Sequence, residues 1–295
     1  MDIKLRPIHE QVMVITGASS GIGLTTALGA AELGAKVVLV ARSAQTISAV
    51  VDDITGHGGE AIAVSADVAD RHQLQNVAEA AINKWGRIDT WVNDAGSSIY
   101  GKIEDISEED ARRLFDTNFW GVVNGSVVAL PHLRRDGGAL INLGSEASEA
   151  PLPLLEMYAA SKYAVKGFTD CLRIEVQQVD RSPVAVTVIQ PTATDTPFDE
   201  HGKNYMEKEP NLPPPRIEPE QVADAILDAA VHPRRDVKVG LMSKANTFVA
   251  KHLPRLGDRL AAMRVRQLKR DEPPQRPREG NLHHAGEANR QHGDH

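Results

Sequence analysis

In the stretch MYAASKYAVKGF (157–168), Tyr158 and Lys162 stand four residues apart, so on a helix they project from one face. A free phenol ionises near pH ~10 and is a poor proton-transfer group at neutrality. A nearby ammonium stabilises the phenolate, the more so when both are partly desolvated, and the tyrosine can then exchange a proton at working pH. Ser145 lies 13 residues upstream, at the end of the apolar run GALINLGS (138–145). That run reads as a strand, and ligands of open α/β sheets sit at the C-terminal ends of strands. A hydroxyl there can hold a substrate oxygen and steady the charge that develops on it. Ser148 is a nearby alternative. Asn118, inside an apolar helical segment, is an awkward residue unless its amide bonds something.

A second group of residues suits phosphate. VMVITGASSGIGLTTALGAAELGA reads as a strand, the turn Gly17-x-x-x-Gly21-x-Gly23, and a helix. In that setting the glycines allow a tight turn and close backbone approach to a pyrophosphate, and the helix N-terminus offers unpaired N–H groups. The second strand ends in VVLVARS, with Ala41, Arg42 and Ser43 where an NAD site usually carries an acid for the ribose 2′-OH. Nothing there repels a 2′-phosphate, and Arg42 can donate charge-assisted bonds to one. NADP(H) is favoured over NAD(H), unless Arg42 simply points into solvent.

Alternating strands and helices must position these groups. Strand-like runs at 12–16, 36–41, 60–67, 87–96, 138–145, 184–191 and 236–240 are separated by helical patterns. Asp70 and Ser107 stand as N-caps of two of the helices. Near-continuous apolar strands imply a doubly wound parallel sheet buried on both faces, a Rossmann-like single α/β domain. The chain of 295 residues, 41% hydrophobic, is long enough for one such domain. Its net charge of −7 gives no reason to expect nucleic acid. A lone cysteine, Cys171, excludes an internal disulfide and fits a reducing compartment. The opening residues read as neither signal peptide nor spanning helix, so a cytoplasmic location is expected.

TGASSGIG (16–23), NDAG (93–96), Asn118 in DTNFWG, Ser145 in INLGSEAS and YAASK (158–162), in that order, resemble the short-chain dehydrogenase/reductase family, in its single-domain branch. The resemblance implies a hydride transfer between a nicotinamide and a ketone, aldehyde or alcohol carbon. It makes Tyr158 the acid/base, Lys162 its activator and holder of the ribose, Ser145 the positioner of the substrate oxygen, and Asn118 part of a water-linked proton relay. For the cofactor it implies Gly17, Ser19, Ser20, Gly21, Ile22 and Gly23 at the phosphates, Asp67 and Val68 at the adenine, and Ala95, Gly96, Pro191 and Thr196 along the groove, with Thr196 at the carboxamide. Asn93 matches a residue that steadies the central sheet beside the cofactor. A homodimer or homotetramer is also implied. The alternatives are a non-catalytic dinucleotide-binding regulator and a sugar-nucleotide enzyme of the extended branch. The latter would carry a G-x-x-G-x-x-G turn, which is absent here.

Two positions depart from the pattern. Asp94 puts a carboxylate where the family usually has a second asparagine, and a buried charge there needs partners. Thr192 replaces the glycine usual after Pro191. Neither touches Ser145, Tyr158, Lys162 or Asn118. The family-like domain spans residues 8–240. Residues 195–218, rich in Pro, charge and aromatics, read either as a mobile loop over the site or as a long surface connection. Together with the apolar 151–155, PLPLL, they point to an apolar carbonyl substrate. A helical extension (241–271) follows, basic and amphipathic over 243–270. It reads as two helices broken at Pro254 and packed on the body or a neighbouring subunit, with peripheral membrane contact as the alternative. Residues 272–295 have almost no apolar side chains and are expected to be disordered, and their histidines lack acid partners at metal-ligand spacing.

Overall fold

The computed structural model describes residues 3–286 and 289–294. Along the chain run β1 (Val12–Thr16), α1 (Gly21–Glu32), β2 (Lys36–Ala41), α2 (Ala44–Gly56), β3 (Glu60–Ser65), α3 (Arg71–Trp85) and β4 (Thr90–Asn93). A short β5 (Ile99–Tyr100) precedes α4 (Glu108–Phe115), a π-helical turn (Asp116–Trp120) and α5 (Gly121–Asp136). Then come β6 (Gly138–Leu143), α6 (Glu156–Ile174), a second π-helical turn (Glu175–Val179) and β7 (Val184–Pro191). The chain continues through α7 (Phe198–His201), β8 (Lys203–Asn204), α8 (Pro219–Val231), β9 (Asp236–Val239), α9 (Leu241–His252) and α10 (Pro254–Arg264).

Seven strands form one parallel sheet in the order β3-β2-β1-β4-β6-β7-β9. Successive residues of a strand face opposite sides, so apolar runs feed two cores at once. Met13, Ile15, Val37 and Leu39 pack under α1, α2 and α8, while Val14, Val38, Trp91 and Leu140 pack under α3, α5 and α6. The edge strand β3 departs from the expectation of burial on both faces, since all its residues are exposed or half-buried. Asp70 caps α3 by accepting from the backbone N–H of His72 and Gln73, and Ser107 caps α4 by accepting from that of Asp110. Strand order reverses on either side of β1, which opens a crevice at the C-terminal ends of β1 and β4.

The segment 195–218 folds into a flap. β8 pairs with β5 in a two-stranded parallel ladder, Thr194 bridges to Ile217, and Pro210 bridges to Lys269. α9 and α10 part at Leu253–Pro254, with the proline at the first position of α10, where its missing N–H costs nothing. Their inner side is tied down: Ser243 Oγ donates to Gln190 O at 2.9 Å, and Lys238 Nζ donates to Thr247 Oγ1 at 2.6 Å. Their outer side leaves Leu241, Phe248, Leu256 and Met263 exposed. Among the described residues no helix is long and apolar enough to cross a membrane.

The tail expected to be disordered carries no helix or strand among the described residues; residues 287, 288 and 295 lie outside them. Residues 272–286 and 289–294 run along the flap and the mouth of the crevice. The cohesion comes from polar contacts that composition does not reveal. Asn204 N donates to Arg278 O at 2.8 Å, Asn281 N donates to His201 O at 2.8 Å, Lys203 pairs with Glu279, and Arg290 pairs with Glu200 at 2.6 Å. One apolar anchor, Leu282, is buried against Ile99, Leu114 and Tyr205. His292 meets two acids distant in sequence, Asp195 and Glu218.

Asp110 joins tail to body. It accepts from the Tyr205 hydroxyl at 2.5 Å, contacts His283 Nε2 at 2.6 Å and pairs with Lys203 at 3.1 Å. Burial alone would raise this carboxyl, but the three partners outweigh it and hold it at about 2, against an ordinary 3.8. A depressed folded value means the contribution is present above the ordinary value and is lost as pH falls through the folded one. Unfolding followed between pH ~5 and ~2 is expected to show wild type losing stability more steeply than Asp110→Asn. Parallel curves would remove Asp110 as the cause.

Candidate active site

The glycine turn between β1 and α1 is sterically obligatory. Gly17 has φ +75°, and a β-carbon on Gly23 would lie 2.4 Å from the Gly17 carbonyl oxygen. Gly21, at φ +52°, faces Thr196, whose β-carbon would sit 3.1 Å from its own. Gly17, Ser19, Ser20, Gly21 and Ile22 line the crevice. Gly23 does not line it and serves instead to bring α1 close to the turn.

Beneath this turn lies Asp94. Thr16 Oγ1 accepts from Asp94 N at 3.0 Å and from Ala95 N at 3.2 Å, which orients the β4 terminus. Burial raises the Asp94 carboxyl, opposed by the Lys162 charge and by a hydrogen bond from the Gly23 backbone. Burial likewise lowers Lys162, and Asp94 opposes that shift. The departure at Asp94 thus has partners on both sides.

Tyr158 is half-buried on α6, with its ring edge-on to Phe198 at 5.3 Å between centroids. Its hydroxyl is hydrogen-bonded to Ser145, but burial dominates and pushes the phenol up to about 12, with Glu146 and Asp94 adding to the rise. Lys162 Nζ lies 5.8 Å from the Tyr158 ring centroid and donates to Leu143 O at 2.8 Å. In this structure burial is the largest influence on the phenol and sets it above its ordinary value. The strongest contacts of the ammonium are with the β6 backbone and Asp94.

Ser145 sits just past β6 and opens a single 3₁₀ turn. Its hydroxyl accepts from Ala147 N, and Ser148 Oγ accepts from Ser145 N, each at 3.1 Å. That reciprocal cap commits the nearby alternative, Ser148, to structure, and it is buried. Asn118 lies in the π-turn, fully buried. Its Oδ1 accepts from Ser97 N at 2.8 Å, and its Nδ2 donates to Ser97 O and Ser161 Oγ at 2.9 and 3.1 Å. The amide clamps the loop after β4 to α6 and does not line the crevice. Asn93 is also away from it, donating to Asn142 Oδ1 at 2.8 Å and accepting from Trp91 Nε1 at 2.8 Å.

The remaining anticipated residues do line the crevice: Arg42, Asp67, Val68, Ala95, Gly96, Pro191 and Thr196. Arg42 is half-buried and turned onto the tail. It donates to the backbone oxygens of Asn281 and, at 3.1 Å, of Leu282. Two residues went unrecognised in the sequence. Glu146, buried beside Tyr158, accepts from Thr192 Oγ1 at 2.9 Å and Asn246 Nδ2 at 3.0 Å, and burial raises its carboxyl. The unusual Thr192 is therefore the partner of a buried acid. Arg113 pairs with Asp67 at 2.6 Å and donates to Leu282 O at 3.2 Å. No local motif marks it. Leu152, Leu155, Phe198, Leu212, Pro213 and Leu268 give the far end of the crevice an apolar wall.

A family model described as short chain dehydrogenase matches residues 11–206. The chain is a short-chain dehydrogenase/reductase. It is an oxidoreductase acting on CH–OH donors with NAD(P) as acceptor. Among relatives of this short-chain dehydrogenase/reductase, the uncharacterized oxidoreductase YxnA of Bacillus subtilis is 44% identical over 280 residues, covering 94% of this chain and 78% of its own. The putative oxidoreductase SadH of Mycobacterium tuberculosis is 31% identical, covering 86% of this chain and 95% of its own. A short-chain dehydrogenase/reductase from Burkholderia phymatum, solved in complex with NAD, shares the fold with a TM-score of 0.75 at 24% identity, covering 83% of this chain and 94% of its own. An alcohol dehydrogenase from Thermococcus sibiricus, complexed with 5-hydroxy-NADP, does so with a TM-score of 0.67 at 24% identity, covering 78% and 94%.

Proposed function

We propose that this short-chain dehydrogenase/reductase interconverts an apolar ketone or aldehyde and the corresponding alcohol, with NADP(H) as hydride carrier and Tyr158 as acid/base. The observation that carries the reading is the Tyr158 hydroxyl bonded to Ser145, in one crevice with Lys162 and a glycine turn. The crevice fits a dinucleotide on its own chemistry. The turn accepts only glycine at 17 and 23, where a β-carbon would strike Ala95 N and the Gly17 carbonyl oxygen, and the lining hydroxyls of Ser97 and Thr117 have no partner among the described residues. Amides of the turn would hold the phosphates, Asp67 and Val68 the adenine, Lys162 the ribose, and Pro191 and Thr196 the nicotinamide. When bound, the nicotinamide supplies or takes the hydride.

The chain's own groups handle the oxygen and its proton. Burial keeps the Tyr158 phenol protonated at neutral pH, which suits donation to a reduced carbonyl. Ser145, fixed by its place at the head of the 3₁₀ turn, holds that oxygen against the phenol. Lys162 carries positive charge to the side of the ring and favours the phenolate once the proton has left. The apolar wall excludes water and selects an apolar substrate.

The test follows nicotinamide absorbance while NADPH or NADH is offered with a panel of apolar carbonyls. Turnover with NADPH ahead of NADH is expected, and absence of turnover across a broad panel would favour a binding role instead. Arg42→Gln is expected to lower kcat/KM for NADPH about 10- to 100-fold, the value of a charge-assisted bond, and to leave NADH little changed. Equal losses with both cofactors would remove the 2′-phosphate from the reading of Arg42.

A further inference from the structure

Two guanidinium groups, from different elements, converge on one oxygen. Arg42, just past β2, and Arg113, on α4, both donate to the Leu282 carbonyl, at 3.1 and 3.2 Å. Arg42 also donates to the Asn281 carbonyl. Burial and the proximity of Arg113 lower the Arg42 pKa, while Asp67 works against them. Two cations and one carboxylate leave an excess of positive charge at the adenosine end of the crevice. A neutral peptide oxygen is a weak occupant for such a site, because charged acceptors make hydrogen bonds roughly twice as strong. The same segment reaches the phosphate turn, where Gly21 N donates to Arg290 O at 2.9 Å. Asn281, Leu282, Ala285 and Gly286 line the crevice together with the glycine turn. Three backbone oxygens of the tail thus sit on donors that the sequence and fold assign to a phosphate-bearing ligand.

We propose that the C-terminal strap is an intramolecular competitor for the phosphate-bearing end of the dinucleotide, and that Arg113 joins Arg42 as the second residue of a 2′-phosphate site. The inference rests on the NADP(H) reading above and extends it to Arg113 and to the tail. A single N–H on Gly21 cannot serve a strap carbonyl and a phosphate oxygen together. Binding therefore requires displacement of the strap, and the observed affinity is reduced by the fraction of chains in which the strap is down. Among the described residues of the strap, Leu282 is the one deeply buried apolar anchor, and the other ties are ion pairs and hydrogen bonds, to Asp110, Glu200, Glu209 and the flap backbone, that can exchange for water on release.

Hydrogen exchange on the full chain is the direct test. NADPH is expected to strip protection from the amides of residues 278–286 while it adds protection to the turn at 17–23. Retained or increased protection at 278–286 would overturn the competition, since the strap would then belong to the bound state. Calorimetry on the full-length Leu282→Asp variant, whose anchor is charged, is expected to show NADPH binding about tenfold tighter than wild type, the factor for a strap that is ~90% closed. Weaker or unchanged binding in a folded variant would equally count against it. In that open background, Arg113→Gln should weaken NADPH and spare NADH; equal effects would remove Arg113 from the phosphate site. Should Arg42→Gln also fail to distinguish the cofactors, the NADP(H) reading falls, while strap competition would still appear as tightening toward both.

Discussion

Tyr158→Phe is expected to lower kcat for carbonyl reduction by about 10²- to 10⁴-fold while leaving dinucleotide affinity and thermal stability as they are in wild type. The change removes one oxygen. The ring keeps its edge contact with Phe198, and the backbone of α6 is untouched. What disappears is the proton that must reach the substrate oxygen as hydride arrives at carbon, together with the bond to Ser145 that orients it. Single-turnover rates with saturating NADPH separate this loss from binding. A phenylalanine variant that turns over as fast as wild type would sink the mechanism.

A second large effect is expected at Lys162, and it is both catalytic and structural. Lys162→Met removes the donor to the Leu143 carbonyl and the charge that opposes the burial of Asp94. Loss of one partner from a buried charge pair costs about 3 kcal/mol or more. The Asp94 carboxyl, already raised, would rise further. A raised folded value contributes stability at low pH that is lost as pH climbs through it, so the variant should be most impaired at neutral pH and recover toward pH ~5. Adding Asp94→Asn is expected to restore stability without restoring turnover, which should stay down by about 10²-fold or more. Denaturant melts at two pH values, run beside activity, check both. Recovery of activity in the double variant would mean that Lys162 acts only as a counter-charge.

The parts of this molecule that were legible in the sequence are those whose information is local. Near-continuous apolar runs marked all seven strands of the main sheet, Asp70 and Ser107 marked their helix starts, and Pro254 marked the break between α9 and α10. Short-range spacing likewise marked the glycine turn and the Tyr158–Lys162 face. What escaped was long-range pairing. Thr192 looked like a plain departure because its partner, Glu146, lies on the neighbouring strand's exit, and Asp94 looked costly because Gly23 and Lys162 reach it only through the fold. The proton-relay role given to Asn118 is a matter for experiment; the amide itself is spent on clamping Ser97 to Ser161. The contacts of the tail were not legible for a different reason. Composition measures what a segment can bury, whereas this one is held mostly through its backbone oxygens and charged ends, by a surface that offers the matching donors.

The π-turn at Asp116–Trp120 has a bearing on how this site can change. Such a turn carries one residue more than the α-helical path through the same space, the trace an insertion leaves in a helix. α4 and α5 on either side are already in phase with their packing partners, so deletion of one residue would let the helix close up with both flanks in register. Asn118 lies within the surplus turn, and closing it would withdraw the amide from Ser97 and Ser161. The core can lose that residue, whereas the loop behind Lys162 would come loose. The second π-turn, Glu175–Val179 at the end of α6, holds no residue of the crevice, so the same deletion there would leave the crevice residues in place. A one-residue deletion is therefore expected to spare the crevice at one helix and to disturb it at the other, although both turns have the same geometry.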